Sequence, residues 1–240
     1  TTMRAAKFVA KIDDDTLANL PRMVSELRQV AADAVYGVQV YRLWNWNKQP
    51  TVGDAACGDH SEIGPPKSNR LLKSLEEAVK PGGKCVGSLG PYPFPDGSLE
   101  VYGRKALDNV FGSQRVRAFA DEMFKKPKPP FWSHEDAGLG ALVHREVVDR
   151  QMPLTYVAMR RWEHNRFWLN WADRSTLIDG DVQWAHYTRD APRADYVGGA
   201  FAATASLPAD GLSCGSCVKQ WGWNAPVASS VCCAKPAATG

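Results

Sequence analysis

The sequence predicts an α/β domain, a sheet flanked by helices, and three observations carry that reading. An apolar strand near the start passes through an acidic turn into an amphipathic helix and then a second strand, which is the repeating unit of α/β folds. A second helix with one apolar stripe, over 133–151, runs directly into another apolar strand. With 240 residues, 44% hydrophobic and 23% charged, the chain is long enough to bury a sizeable core.

Taken in order, "AKFVAKI" at 6–12 reads as a buried strand, followed by Asp13, Asp14 and Asp15. In "TLANLPRMVSELRQVAADA", Leu20, Val24, Leu27 and Val30 fall at helical spacing. Asn19 is a natural cap there, and Pro21 sits where an early-helix proline is tolerated. "VYGVQVYRLW" is a second strand, rich in Val and Tyr. Residues 45–95 carry many Gly and Pro around the helical stretch "SNRLLKSLEEAV", and read as an irregular surface insertion. "GSLEVYGRKALDNVF" reads as a strand running into a helix, "KKPKPPFW" as a stiff loop, and "SHEDAGLGALVHREVVDRQ" as a helix with Leu139, Leu142, Val143 and Val147 on one stripe. "PLTYVAM" is a strand, and "DGDVQWAHYTRD" is a turn, a short strand and a turn. No internal repeat is present.

Composition excludes several classes. A net charge of +3, from 29 basic and 26 acidic residues, is too balanced for a polyanion-binding protein, so no nucleic-acid partner is expected. There is no apolar run of about 18 residues that would span a membrane, and the start has no signal-peptide pattern. Six cysteines, four of them in the tail (Cys214, Cys217, Cys232, Cys233), fit disulfides in an oxidising compartment better than a zinc site. Adjacent Cys232 and Cys233 do not both reach one ion easily, and the usual paired C-x-x-C spacing is absent.

Three stretches hold residues suited to chemistry. Three adjacent carboxylates repel one another, and a divalent cation at the carboxyl end of a strand would offset that repulsion; an exposed acidic turn capping the next helix explains them equally well. In "SHEDAGLG", Ser133 and Asp136 form a capping-box pattern, while a carboxylate at a helix start also suits a general base. In "QWAHYTRD", His186 is a strand histidine of the kind more often packed than ligating. His60, His134, His144 and His164 have no partner pattern. No metalloprotease, hydrolase-elbow, Walker or dinucleotide-binding motif is present.

Together and in this order, the stretches resemble glycosyltransferase family 31, which holds β1,3-galactosyltransferases, β1,3-N-acetylglucosaminyltransferases and Fringe-type enzymes. "FVAKIDDDTLANLPRMV" is similar to that family's Y-V-x-K-x-D-D-D-x-F-V-N-L, and "HEDAGLG" to its E-D-V-x-x-G, with Glu135, Asp136 and Gly140 in place. "YPFPDGSLEVYGRKAL" is a degraded form of its Y-P-x-Y-x-x-G-x-G-Y-V-L-S segment: Gly97 survives, but Ser98, Leu99 and Glu100 replace small or aromatic positions. "WAHYTRD" resembles the A-H-Y segment of plant-type hydroxyproline galactosyltransferases. The resemblance covers about residues 5 to 190.

The resemblance implies a GT-A-like mixed sheet over 1–200 with a Cys-rich irregular tail over 201–240, and an inverting transferase that moves a hexose, galactose first, from a UDP-sugar through Mn²⁺ to a glycan or glycoprotein hydroxyl in β1,3 linkage. By the same resemblance Asp15, Asp13 and His186 hold the metal. Asp13, Asp14 and Gly97 serve the donor, with Asp13 near the ribose. Asp136, with Glu135 beside it, is the base. It further implies a Golgi lumenal protein attached to a membrane only through a segment outside this chain, with a secreted or extracellular protein as the second choice. Family members carry a long nucleotide-binding portion before the D-D-D strand, so the expectation is a domain incomplete at its amino terminus. The competing expectation is a non-catalytic, truncated module that binds glycan or supports an assembly.

Overall fold

A computed structural model describes residues 6–45, 56–62, 67–125, 135–152, 154–158, 184–185, 195, 199, 202, 212–214 and 229–234. Among these the order is β1 (Phe8–Ile12), β2 (Leu17–Ala18), α1 (Leu20–Leu27), β3 (Ala34–Trp44), β4 (Ala56–Glu62), α2 (Lys67–Val79), β5 (Leu89–Gly103), α3 (Arg104–Phe111), α4 (Gln114–Phe124), α5 (Glu135–Arg150), β6 (Leu154–Ala158), β7 (Trp184–Ala185), β8 (Leu212–Cys214) and β9 (Ser229–Ala234). The α/β class expected from the sequence is the one observed.

β3 organises the molecule because its side chains alternate strictly between two apolar faces. Val35 and Leu43 enter one cluster. Ala34, Tyr36, Val40 and Trp44 enter the other. Such a strand must be covered on both sides, and it is. Met23 of α1 packs on the second face. Leu75 of α2, Ala106 and Val110 of α3, and Val116 of α4 pack on the first. α5 serves both, with Ala137 and Ala141 toward one cluster and Leu142, Val143 and Val147 toward the other. Each large side chain buried this way contributes about 1.5–3 kcal/mol.

The sheet is mixed, in the order β1-β5-β3-β6-β9-β8, with β4 beside β3. β3, β6 and β9 run parallel to one another. β5 lies antiparallel between β1 and β3. β2 and β7 form a separate two-stranded ladder. No helix among the described residues is long and apolar enough to cross a membrane.

Several expectations need correction. The stretch 45–95 is not an irregular surface insertion: β4 pairs with β3, and β5 begins at Leu89 with Tyr92 and Phe94 fully buried. Pro91, Pro93 and Pro95 suggest a loop, yet they occur at every second position of this strand. With period 2 their missing N–H groups all point to one side, while Tyr92 and Phe94 can serve the ladder with β3. On the far side β1 pairs only from Leu99 onward, so the prolines lie along an edge that has no described partner.

The α1 stripe also differs. Val30 is buried and Leu27 packs partly against the core as expected, but Leu20 and Val24 are exposed, and Met23 and Glu26 are buried instead. Glu26 is accommodated because Tyr36 Oη donates a 2.8 Å hydrogen bond to its Oε2. The helix ends sooner than expected, as Gln29 and Val30 turn back onto the carbonyls of Glu26 and Leu27.

Two parts of the tail expected to be irregular are strands: β9 extends the sheet beside β6, and β8 pairs with β9. A disulfide joins Cys57 of β4 to Cys85, just beyond α2. Closing a 28-residue separation stabilises the fold by roughly 3.5 kcal/mol on a chain-entropy account. The pairing of Cys214, Cys217, Cys232 and Cys233 lies outside the described side chains, and the expected "KKPKPPFW" loop lies outside the described residues but for Lys125.

Candidate functional site

The site is built by an irregularity in β5. Gly37 of β3 lies opposite Glu100, but Gln39 lies opposite Pro95. Four residues, Asp96 to Leu99, therefore stand against one residue of β3, and the strand bulges there. The parity of its inward side chains changes across the bulge, from Tyr92 and Phe94 before it to Leu99 and Val101 after it.

The bulge draws together two of the sequence-predicted stretches. The Gly97 N–H donates to Asp136 Oδ2 at 3.3 Å. The Gly97 carbonyl accepts from Lys11 Nζ at 3.0 Å. The neighbouring Ser98 carbonyl accepts the Asp13 N–H at 3.3 Å. The carboxyl end of β1 and the amino end of α5 thus meet across a single glycine. A Cβ on Gly97 would lie 3.2 Å from Asp136 Cβ, so this approach suits glycine. Gly140 does the same work one turn further on, where a Cβ would lie 2.3 Å from Phe94 Cβ and α5 would be pushed off the sheet.

Within the triplet the three acids differ. Asp14 is exposed, Asp13 is partly exposed, and Asp15 is buried with Thr16. The turn closes through the Thr16 N–H, which donates to the Asp13 carbonyl at 3.1 Å. Thr16 Oγ1 is buried with no hydrogen-bond partner among the described residues. Asp136 is half-buried at the second position of α5, and its Oδ1 accepts the Ala137 N–H at 2.7 Å, the local capping contact that its place in the helix suggests. Glu135 begins the helix, and its side chain lies outside the described ones.

Sequence reasoning missed Lys11 and Glu100. Glu100 is wholly buried. Its Oε2 accepts from Tyr102 Oη at 2.5 Å. Its Oε1 lies 3.1 Å from Lys11 Nζ. Burial pushes the Glu100 carboxyl up to about 7; the Tyr102 hydrogen bond and Lys11 oppose the rise, and Asp136 adds to it. Lys11 also lies 3.4 Å from Asp13 Oδ1. The signal was present in the sequence: an acid inside the apolar run "SLEVYG" of a strand with neighbours on both sides requires a partner.

His186 lies outside the described residues. The strand that leads to it is described, with Ala185 of β7 paired to Leu17, two residues after Asp15. Among the described residues no three His, Cys, Asp or Glu side chains converge as a ligand set. What is present fits a hard divalent ion in kind: two carboxylates and a buried hydroxyl on one tight turn, all oxygen donors. No known family model, curated protein or solved structure matches the chain.

Proposed function

We propose that the chain is the catalytic part of a metal-dependent inverting glycosyltransferase with a GT-A-type sheet, which moves a hexose, galactose first, from a UDP-sugar to a glycan or glycoprotein hydroxyl in β1,3 linkage. One observation supports the reading above the rest: adjacent Gly97 and Ser98 hold Asp136 and the Asp13 N–H respectively, so a candidate metal-binding group and a candidate base share one bulge. In this reading Asp136 takes the proton of the acceptor hydroxyl as that oxygen attacks the anomeric carbon and the bond to the diphosphate breaks. Gly97 holds the Asp136 carboxylate in orientation through its N–H. Asp13 and Asp15, with His186, would hold Mn²⁺, and Asp14 with Gly97 would face the donor. When bound, the metal supplies charge neutralisation for the UDP leaving group. The Cys57–Cys85 bridge agrees with an oxidising compartment, for which we take the Golgi lumen.

A second reading, a non-catalytic glycan-binding or structural module, draws on a different observation. Lys11 already stands beside Asp13, and the described residues hold no complete ligand set.

Metal binding separates the two. Manganese at about a hundred times its dissociation constant should stabilise the fold by about 2.7 kcal/mol, a rise in Tm of roughly 5–10 °C, and Asp15→Asn should abolish it. Asp136→Asn should leave that rise intact while transfer of radiolabelled galactose from UDP-galactose collapses. A parent chain whose Tm ignores manganese removes the catalytic reading.

A further inference from the structure

We propose that the Lys11 ammonium is the internal counter-cation of the acidic turn, with which an incoming divalent metal must compete. The inference rests on the metal reading of that turn and concerns how tightly it is set.

Three oxygens from three places surround Lys11 Nζ: the Gly97 carbonyl at 3.0 Å, Glu100 Oε1 at 3.1 Å and Asp13 Oδ1 at 3.4 Å. Two carboxylates and a carbonyl around one cation form the kind of oxygen cluster that a metal ion would otherwise satisfy. The arms are unequal. Glu100 is fully buried, and its second oxygen is held by Tyr102, so water is kept from the carboxylate side of the Lys11–Glu100 contact. The Lys11 and Asp13 side chains are 38% and 31% exposed, and their contact is the longest of the three, so water and salt weaken it. A divalent ion would therefore compete with Lys11 for Asp13, the weak arm, while Glu100 and Gly97 would retain the ammonium. Glu100, a departure from the resembled family's pattern at this position, is what keeps the positive charge beside the turn.

Charge then sets affinity. Lys11→Met removes a positive charge 3.4 Å from Asp13 Oδ1, and Mn²⁺ should bind about tenfold tighter at low ionic strength. Above pH 8, where the Glu100 carboxyl pushed up to about 7 is ionised, Glu100→Gln removes a negative charge, leaves the ammonium to Asp13, and should weaken binding. A role in shape alone predicts the reverse for Lys11→Met, since the bulge would lose its clamp.

Water-proton relaxation with manganese chloride alone measures the affinities of the full chain at low and high salt. Tighter binding by Lys11→Met, with the gap narrowing in high salt, upholds the proposal, and so does binding that appears only in that variant. Equal or weaker binding by Lys11→Met, while the parent chain binds, overturns the proposal and leaves the metal reading standing. Silence from the parent chain and Lys11→Met alike overturns both. Should Lys11→Met fail to fold with Glu100 left unpaired, the paired substitution Lys11→Met with Glu100→Gln removes both charges. It should bind manganese at least as tightly as the parent, and weaker binding overturns the proposal.

Discussion

Glu100 at the β5 bulge and His144 in the middle of α5 are both buried ionisable side chains, and they are treated differently. Glu100 is wired: Tyr102 donates to one oxygen, Lys11 stands at the other, and through Lys11 it reaches Gly97 and Asp13. His144 is packed: its ring stacks on Tyr92 with centroids 5.6 Å apart, and Nδ1 has no hydrogen-bond partner among the described residues. Burial holds the His144 ring down to about 4, opposed only by the charge of Asp149. A buried carboxyl with a partner at each oxygen ties the acidic turn into the sheet. A buried ring kept neutral is apolar filling with a polar atom left over.

That contrast can be broken most severely on the packed side. Gly140→Ala places a methyl against Phe94 and Tyr92 and should cost about 2–3 kcal/mol in urea unfolding, with little effect on manganese affinity. A cost below about 0.5 kcal/mol would mean that α5 does not lie as close to β5 as described.

Next in size is a pH test that sets the two groups against each other. The native Glu100 carboxyl titrates near 7 against an ordinary 4.5, so the native state binds the extra proton between those values and this contribution to stability falls as pH rises through them. The native His144 ring titrates near 4 against 6.5, so the unfolded state binds the extra proton and this contribution rises with pH from 4 to 6.5. The two nearly cancel between about pH 4.5 and 6.5. Glu100→Gln should therefore expose a stability that climbs by about 1–2 kcal/mol across that window, and His144→Phe one that falls by a similar amount. Parallel profiles for the two variants would contradict the assignment.

The smallest effect on stability should come from Gly97→Ala, under about 1 kcal/mol, because the added methyl meets only the Asp136 side chain. On the proposed transferase reading, displacing that carboxylate by a few tenths of an ångström should still lower kcat of transfer by about tenfold, and an unchanged kcat would remove Asp136 from the reacting group.

Much of the frame was legible because it depends on local periodicity. β1, β3, β6 and α5 announce themselves through alternation or a helical stripe, but β1 is not the buried strand expected: it lies at the sheet's edge, partly buried, with Ile12 exposed. The first half of β5 was hidden because proline reads as a breaker unless the strand is known to have an open side. The α1 face was misjudged because hydrophobic spacing takes no account of Glu26, whose burial depends on Tyr36 from a strand ten residues on. Asp13 and Asp136 were legible as types, but their meeting at Gly97 depends on a bulge in a third segment that neither stretch encodes. Lys11 and Glu100 lie 89 positions apart and meet only through the β1–β5 ladder, which pairs them directly. Cys57 and Cys85 lie far apart in the chain in the same way, and composition suggested pairing in the tail instead.

The spacing of Pro91, Pro93 and Pro95 has one more consequence. A long strand with a free flank is an invitation to another molecule's strand, and stacking of that kind leads to insoluble fibrils. Along the flank that has no partner among the described residues, β5 withholds the donor at each alternate position and offers a newcomer only acceptors, which guards that stretch against strand-to-strand association.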